Sequence, residues 1–252
     1  MSTRNASKLN QLLQSLPQGI VLLASWLVDQ GYSHDLQQKY LRSQWLTPIG
    51  RGAYKRTGDD INIFGALYAL QKQANKPVHP GGPSALYLQG YAHYIAMEHQ
   101  PLILFAPQAV KLPVWFTKHW SGEYTFRRSK ILPGSQAQTV YDTGNFQIHI
   151  SSVSRAMIEC LEMTPDHFDL EEAWLIMEGL NALPPKQVQH LLEQCSSIKT
   201  KRLFLYFAEK AGHTWFKYLD ISRIKLGSGK RSIVKNGVLN SKYLITLPKN
   251  LA

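Results

Sequence analysis

Cysteine is scarce in this sequence, and long apolar runs are absent from it. The two cysteines, Cys160 and Cys195, belong to no Cys-x-x-Cys pair and no Cys/His cluster, which argues against a disulfide scaffold and a structural zinc site. No apolar stretch approaches the roughly 20 residues that a membrane-spanning helix needs, and MSTRNASKLN at the N-terminus lacks the apolar core of a secretory signal. These absences predict a cytoplasmic protein with reduced thiols and no membrane partner.

The motifs of common enzymes are missing as well. The sequence contains no HExxH, GxSxG or Cys/His nucleophile pattern. LGSGKRS is not a Walker A loop, because Ile224 stands where the first glycine belongs and Arg231 where Ser or Thr must follow the lysine. His93 and His99 are accompanied by neither a pair of cysteines nor a pair of carboxylates, and isolated histidines are more often surface or core residues than metal ligands. We therefore expect no catalytic residues, no metal and no cofactor.

Positive charge is concentrated at the two ends of the chain, which carries a formal charge of +11. Residues 1–56 contain seven Lys and Arg against two Asp and Glu, residues 57–198 contain nine against thirteen, and residues 199–252 contain twelve against two. The basic N-terminal end favours a polyanionic partner. The basic C-terminal end favours either nucleic acid or an acidic face of a protein.

Residues 21–44 have the pattern of a helix-turn-helix. VLLASWLVDQ places Leu23, Leu27 and Val28 at helical spacing, and Gly31 suits a helix C-terminus. Ser33 can cap the following segment, SHDLQQKYLRSQ. Exposed polar side chains of such a second helix reach base edges and phosphates from the major groove. The candidate DNA-reading residues are Ser33, His34, Gln37, Gln38, Lys39 and Arg42.

A short basic hairpin is predicted directly after this helix. Trp45–Pro48 and Ala53–Arg56 flank IGRG, in which Gly50 and Gly52 permit a tight turn. Taken alone, such a hairpin is equally well explained as a solvated turn. Its spacing from the helix-turn-helix favours a DNA-binding wing, whose cations would contact phosphates or the minor groove. The candidate wing cations are Arg51, Lys55 and Arg56.

The remaining pattern predicts an α+β fold. Ile61–Lys76 has the pattern of an amphipathic helix capped by Asp59 or Asp60. Short β-rich runs separated by prolines follow, of which PLILFAP is the clearest. After Ile150 the pattern predicts four helices, a short fifth helix at Thr214–Leu219, and then a strand, a loop and a strand.

These elements group into two predicted domains, with a boundary near Tyr94–Gln100. Residues 1–95 are expected to form a winged helix-turn-helix with supporting helices. Residues 96–252 are expected to form a mixed α/β domain with a helical C-terminal half.

The basic C-terminal region offers a second group of candidate contacts. The glycine-rich turn of LGSGKRS could hold phosphate through its backbone N–H groups, although an ordinary surface turn explains it more simply. Aromatic residues between Trp115 and Phe126 alternate with cations, and core packing explains them better than a stacking surface for single-stranded RNA. The candidate anion, nucleic-acid or partner contacts are Lys201, Arg202, Lys230, Arg231 and Lys235.

Four segments together resemble the AbiEi antitoxins of bacterial type IV toxin–antitoxin systems. They are VHPGGPSALYLQGYAHY at Val78–Tyr94, LILFAP at Leu102–Pro107, FRRSKIL at Phe126–Leu132 and IKLGSGKRSIVKNGVLNSKYLITLP at Ile224–Pro248. They follow the predicted winged helix in the order found in that family and reach almost to residue 252. None of them is a catalytic motif, so the resemblance rests on their order and on the two-domain context.

The resemblance implies an antitoxin of an abortive-infection system for phage defence. It implies that the winged helix binds inverted repeats in operator DNA and represses the antitoxin's own operon. The cognate toxin would have a nucleotidyltransferase fold, would modify RNA, and would be neutralised without a stable toxin–antitoxin complex. The family supplies no catalytic residues, so the resemblance does not predict an enzyme.

Two other functions remain open on the residues alone. An RNA-binding protein would use the basic C-terminal region. A nuclease-like enzyme would use the carboxylates that begin at Pro165–Asp166, but no (D/E)xK motif completes such a site. Helix capping explains Asp169, Glu171 and Glu172 more simply.

Overall fold

The computed structural model describes residues 3–91, 100–134 and 136–252. The chain forms two compact units, and both are assembled from separate segments of the sequence. Unit 1 comprises Met1–Val78, Val110–Glu123 and Val140–Ile148, and unit 2 comprises His79–Ala109, Tyr124–Thr139 and His149–Ala252. No helix in the described ranges is long and apolar enough to cross a membrane.

Unit 1 begins with the element order of a winged helix. Its elements are α1 (Thr3–Ser15), β1 (Leu22–Leu23), α2 (Ala24–Asp29), α3 (His34–Arg42), β2 (Leu46–Gly50) and β3 (Ala53–Arg56). The strands form an antiparallel sheet in the order β1–β3–β2, which confirms the predicted winged helix-turn-helix. The helix predicted from residue 21 begins only at residue 24, because Leu22 and Leu23 pair with β3 instead of entering α2.

Buried apolar side chains from three helices hold this winged helix together. They include Leu12 of α1, Leu27 of α2, Leu36 and Tyr40 of α3, and Leu46 of β2, each at most 8% exposed. Burial of an aliphatic side chain of this size stabilises a fold by roughly 1.5–3 kcal/mol. The core therefore fixes one face of α3 and leaves the opposite face to solvent.

The helix after the wing differs from the prediction in its cap and its shape. α4 spans Ile63–Tyr68 and continues as a π-helical turn, Ala69–Gln73. The cap is Asn62, whose Oδ1 accepts two backbone N–H groups of the first turn at 3.0 and 3.2 Å. The prediction of Asp59 or Asp60 as the cap is therefore wrong: the cap is the residue immediately before the helix, because only its side chain reaches the free amides of the first turn.

A later helix, α6 (Val114–His119), also belongs to unit 1. It packs against β2, where a β-carbon added at Gly50 would lie only 2.7 Å from Cβ of Trp115. Trp115, Phe116 and Trp120 are all buried, and Trp115 packs edge-on against both of the other rings. For these three aromatics, the core-packing interpretation is confirmed.

Unit 2 combines a small mixed sheet with several helices. In the sheet, β5 is central, β4 is antiparallel to it and β6 is parallel to it. The elements are β4 (His79–Pro80), α5 (Gly82–Leu88), β5 (Leu102–Ala106), β6 (Tyr124–Arg128), α7 (Val153–Met163), α8 (Leu170–Gly179), α9 (Pro185–Gln194) and α10 (Ile198–Lys210). The α+β class and the helical C-terminal half are thus confirmed.

Two further small sheets complete the strands of the described residues. β7 (Gln138–Asp142) and β8 (Gln147–Ser151) form a two-stranded sheet. Near the C-terminus β9 (Arg231–Ser232), β10 (Val238–Asn240) and β11 (Ile245–Leu247) form a sheet in the order β10–β11–β9. The tail predicted as strand, loop and strand therefore contains three short strands, preceded by 3-10 helices at Thr214–Tyr218 and Ile221–Arg223.

The compact units do not divide the chain at a single position near the predicted domain boundary. Residues 79–91, expected in the first domain, lie in unit 2, where β4 pairs with β5. Residues 110–123, expected in the second domain, lie in unit 1, where α6 packs on β2. Most of the boundary segment itself, residues 94–99, lies outside the described residues.

A buried carboxylate organises the centre of unit 2. Glu159 of α7 is 1% exposed. Its oxygens accept hydrogen bonds from Ser151 Oγ at 2.7 Å, Arg155 Nε at 2.8 Å, the Gly82 N–H at 2.9 Å and His79 Nε2 at 3.4 Å. Burial alone would raise the pKa of Glu159, but the hydrogen bond from His79 and the guanidinium of Arg155 outweigh burial and hold this pKa at about 2. The ionised carboxylate therefore joins α7 to the first residue of α5.

The glycine pair of VHPGGP is explained by the same carboxylate. A β-carbon added at Gly81 would lie 2.4 Å from Glu159 Oε2 and 2.6 Å from the ring of Phe105. Gly82 has a φ of +52°, a left-handed conformation that glycine adopts without strain. The two glycines therefore allow the backbone to approach the carboxylate closely enough to donate to it.

Replacing Glu159 with Gln should lower the free energy of unfolding by roughly 3–5 kcal/mol at neutral pH, because the buried Arg155 guanidinium loses its counter-charge. Glu178→Gln makes the same change at an exposed position of α8 and should alter stability by no more than about 0.5 kcal/mol. Urea unfolding at pH 7 compares the two variants with the wild type. Equal stability of both variants would contradict this role for Glu159.

The same experiment has an expected pH dependence. Because the pKa of Glu159 is lowered from 4.5 to about 2 in the folded protein, the stability that its ionisation contributes is complete above about pH 4.5. This contribution is lost as the pH falls towards 2. The difference in unfolding free energy between the wild type and Glu159→Gln should therefore shrink over that range.

Candidate nucleic-acid interface

The exposed face of α3 carries most of the side chains predicted to read DNA. Ser33 Oγ accepts the Leu36 N–H at 3.4 Å, so the predicted N-cap is confirmed. Leu36 and Tyr40 point into the core. The side chains that remain exposed on this helix and at its cap are Ser33, His34, Gln38, Lys39 and Arg42, together with the acidic Asp35.

Gln37 is the exception among the predicted residues of α3. It is 1% exposed, and its Nε2 donates to the carbonyl oxygens of Ala24 at 3.0 Å and Tyr32 at 2.8 Å. These two bonds join α3 to the start of α2 and to the turn between the helices. A buried amide used in this way is not available to a base edge, so the expectation that Gln37 reads DNA is wrong.

The three predicted wing cations occupy different environments. Arg51 is exposed at the tip of the hairpin, next to Gly52, whose φ is +73°. Lys55 is half-buried and its Nζ donates to the Asp59 carbonyl at 2.9 Å. Arg56 is 8% exposed and its guanidinium donates to the Leu16 carbonyl. Arg56 therefore stabilises the wing from inside, and the expectation that it contacts DNA is wrong. Arg51, in contrast, is exposed and can contact a ligand.

The wing tip and the start of α3 line one concave surface of about 590 Å³. The Ala24 N–H donates to the Gly52 carbonyl at 2.9 Å, which holds the wing tip against the N-terminus of α2. His34 and Arg51 both line this concavity, and Ser25 and Asp29 of α2 complete its polar rim. Phosphate contacts by the first helix of the motif accompany base contacts by the second in such proteins.

Ser25 was not among the residues predicted from sequence. The signal that would have found it is helical spacing, because Ser25, Val28 and Asp29 lie on the exposed face of α2. Asp29 and Asp35 give this part of the interface some negative charge, so cations must supply the attraction to phosphate. Lys39 and Arg42 of α3 and Arg51 at the wing tip are exposed cations of this interface.

In the basic C-terminal region, buried and exposed cations are clearly separated. Lys201 and Arg202 of α10 are 4% and 1% exposed, and both donate to backbone carbonyls of unit 2. Their charged groups face the interior, so the expectation that they contact an external anion is corrected. Lys230, Arg231 and Lys235 are exposed, as a surface contact requires.

The two cysteines are free and buried, in agreement with the prediction of reduced thiols. Burial raises the pKa of Cys195 to about 11 and raises the pKa of Cys160 as well, which keeps both thiols protonated at neutral pH. Among the residues that the structure describes, no three His, Cys, Asp or Glu side chains are grouped so that they could hold a metal ion. His93 and His99 lie outside the described residues.

Comparison with solved structures identifies a relative in fold. The crystal structure of the RV2827C protein from Mycobacterium tuberculosis matches this chain with a TM-score of 0.58 and 14% sequence identity. The match covers 90% of this chain and 85% of that chain. At this identity the similarity shows a shared fold. No curated protein matches the sequence significantly.

Family models cover almost the whole chain. Residues 5–97 match the model described as the N-terminal domain of the transcriptional regulator AbiEi antitoxin. Residues 99–248 match the model described as transcriptional regulator, AbiEi antitoxin, type IV toxin–antitoxin system. The chain therefore belongs to the AbiEi antitoxin family of transcriptional regulators of type IV toxin–antitoxin systems.

Proposed function

We propose that this antitoxin represses its own operon by inserting α3 into the major groove of operator DNA. The observation that carries the proposal is the exposure of His34, Gln38 and Arg42, spaced four residues apart on the face of α3 that the core leaves free. Residues at positions i and i+4 are neighbours on a helix surface. The three side chains therefore follow the groove in one row.

Each exposed side chain suits a different contact. The amide of Gln38 can pair bidentately with N6 and N7 of adenine. Arg42 and Lys39 fit O6 and N7 of guanine or phosphate oxygens. Arg51 at the wing tip fits the phosphates or the minor groove beside the site. Base contacts from α3 would set the choice of sequence, and the cations would supply salt-dependent affinity.

The expected operator is an inverted repeat. Helix-turn-helix proteins that bind as pairs recognise half-sites separated by about 34–36 Å, one turn of DNA, or by a multiple of it. One α3 per half-site requires two copies of this chain on the operator.

We infer that the same protein counteracts a toxin of nucleotidyltransferase fold in the cytoplasm. The support is the AbiEi antitoxin match over residues 99–248, together with the resemblance of its motifs to that family. Neutralisation would not require a stable toxin–antitoxin complex. The operator contacts lie on α3 and the wing, so repression and neutralisation should be separable by mutation.

Gln38→Ala should weaken operator binding by roughly 1–3 kcal/mol and relax the choice of base at one position. Gln14→Ala is the matched control: it makes the same change at an exposed position of α1, outside the proposed interface, and should change neither affinity nor base preference. Fluorescence anisotropy with the duplex from upstream of the gene measures the affinity, and titrations with its single-base variants measure the base preference. An unchanged base preference in Gln38→Ala would exclude Gln38 from base reading.

Arg51→Ala should weaken binding to all DNA sequences equally and reduce the slope of log K against log salt by about 1, because one phosphate contact is lost. Arg128→Ala removes an exposed arginine of β6 in unit 2 and should leave the slope unchanged. Titrations at several salt concentrations supply the slopes. Equal slopes for Arg51→Ala and the wild type would show that the wing tip does not meet phosphate.

Gln38→Ala combined with Arg42→Ala should abolish repression of a reporter driven by the operon's promoter while retaining protection against the toxin. Growth of cells that co-express the adjacent toxin gene and either antitoxin variant measures protection, and the reporter measures repression. Pull-down of the toxin by the wild-type antitoxin should recover no stable complex. Loss of protection in the double variant, at normal antitoxin levels, would refute the separation of the two activities.

A further inference from the structure

The glycine-rich loop of the C-terminal region is held by two buried cations of α10. Arg202 donates from Nε to the Leu226 carbonyl at 2.9 Å, from Nη2 to the Gly227 carbonyl at 3.0 Å and from Nη1 to the Gly229 carbonyl at 2.6 Å. Lys201 Nζ donates to the Lys225 carbonyl at 2.9 Å. Four carbonyl groups of one short loop therefore point towards the interior of unit 2.

This arrangement orients the amides of the same loop. In a trans peptide the N–H points opposite to the C=O, so the N–H groups of Leu226, Gly227, Ser228 and Lys230 face away from Arg202 and Lys201. Residues 227–230 are exposed, and none of these four amides donates a hydrogen bond to another group in the described part of the chain. The loop thus presents several free donors to solvent.

Two left-handed glycines give the loop a feature of a known class of anion site. Gly227 and Gly229, on either side of Ser228, have φ values of +63° and +75°. Residues that alternate between left-handed and right-handed conformations turn successive N–H groups into one concavity, which binds anions. A β-carbon added at Gly227 would lie 3.4 Å from the side chain of Ile198, so this part of the loop lies next to the start of α10.

The charged side chains of the loop and of its immediate neighbours in sequence, residues 223–235, are all cationic. Lys225, Lys230 and Arg231 are exposed beside it. Residues 199–252 contain only two acidic residues. One of these, Glu209, is paired with Lys242, and the other, Asp220, accepts from Ser222. An anion at the loop would therefore meet cations and amide donors.

We propose that residues 226–231 form a phosphate-binding loop, in which outward amides and the side chains of Lys230 and Arg231 hold one phosphate group of a nucleotide or of an RNA strand. The buried Arg202 is a positioning residue, because it turns the carbonyl oxygens of Leu226, Gly227 and Gly229 away from the anion. The loop lacks the first glycine and the Ser or Thr of a Walker A motif, so a single phosphate is expected and not a magnesium–triphosphate cradle. The proposal does not depend on the proposed binding of operator DNA.

The amide of Gly227 gives a direct test on the full chain. Leu226–Gly227 is the only Leu–Gly pair in the sequence, so labelling with 1-13C leucine and 15N glycine isolates its resonance. Addition of inorganic phosphate should shift this amide proton downfield in a saturable way, within about 10 mM if the site has millimolar affinity. Adenosine monophosphate and a short single-stranded RNA are then added in separate titrations. Tighter binding of the nucleotide or of the RNA than of phosphate identifies the source of the phosphate group.

Two double variants distinguish a specific phosphate site from general electrostatic attraction of phosphate to a basic surface. Lys230→Ala with Arg231→Ala should weaken phosphate binding about tenfold or more, because charge-assisted hydrogen bonds are lost. Lys217→Ala with Lys249→Ala removes the same charge from exposed positions outside the loop and should leave the affinity within about twofold. The proposal is overturned if the Gly227 amide does not move with any of the three probes, or if both double variants weaken binding equally.

Discussion

A backbone N–H or C=O that leaves water must find a partner inside the protein, and in this chain a few buried polar side chains serve as those partners. In unit 1, Gln37 joins α3 to α2 and to the turn between them. The side-chain amide of Gln73 accepts the Leu23 N–H of β1 at 2.8 Å and donates to the carbonyl of Val21, just before β1, at 2.7 Å. In unit 2, Glu159 accepts a hydrogen bond from the N–H of Gly82, the first residue of α5, and Arg202 donates to carbonyls of the C-terminal loop. Loss of one partner leaves the other buried without a hydrogen bond. Substitution of such side chains therefore lowers the free energy of unfolding.

The same constraint decides which side chains remain for binding. Gln37 and Gln38 are adjacent residues of the same type. The side chain of Gln37 is buried and hydrogen-bonded to backbone carbonyls, whereas that of Gln38 faces solvent. Arg202 and Arg231 differ in the same way. Each buried member fixes the local backbone from which its exposed counterpart projects: Gln37 seats α3, and Arg202 shapes the glycine loop. The same residue type therefore holds the backbone from inside at one position and is exposed for ligand contact at a nearby position.

Local signals in the sequence were sufficient for much of unit 1. Ser33 as a cap and Gly52 in the wing turn each act within a few residues, and the winged helix was predicted from such signals. Contacts between distant segments were not accessible: α6 packs on β2 although more than 60 residues separate them, and Glu159 meets the Gly82 amide across 77 residues. For the candidate interface, residue type and helical spacing identified the right helix, but neither could reveal that Gln37 and Arg56 are buried.

The central claim is that the exposed face of α3 and the wing tip recognise a particular DNA sequence. The most direct measurement is a mobility shift of the purified protein on the DNA upstream of its gene, with scrambled DNA of equal length and a tRNA pool as competitors at about 150 mM salt, where non-specific binding is weak. The account predicts a shift of the upstream DNA that excess scrambled DNA and tRNA do not reverse. Equal competition by all three nucleic acids, or a preference for tRNA, would contradict it.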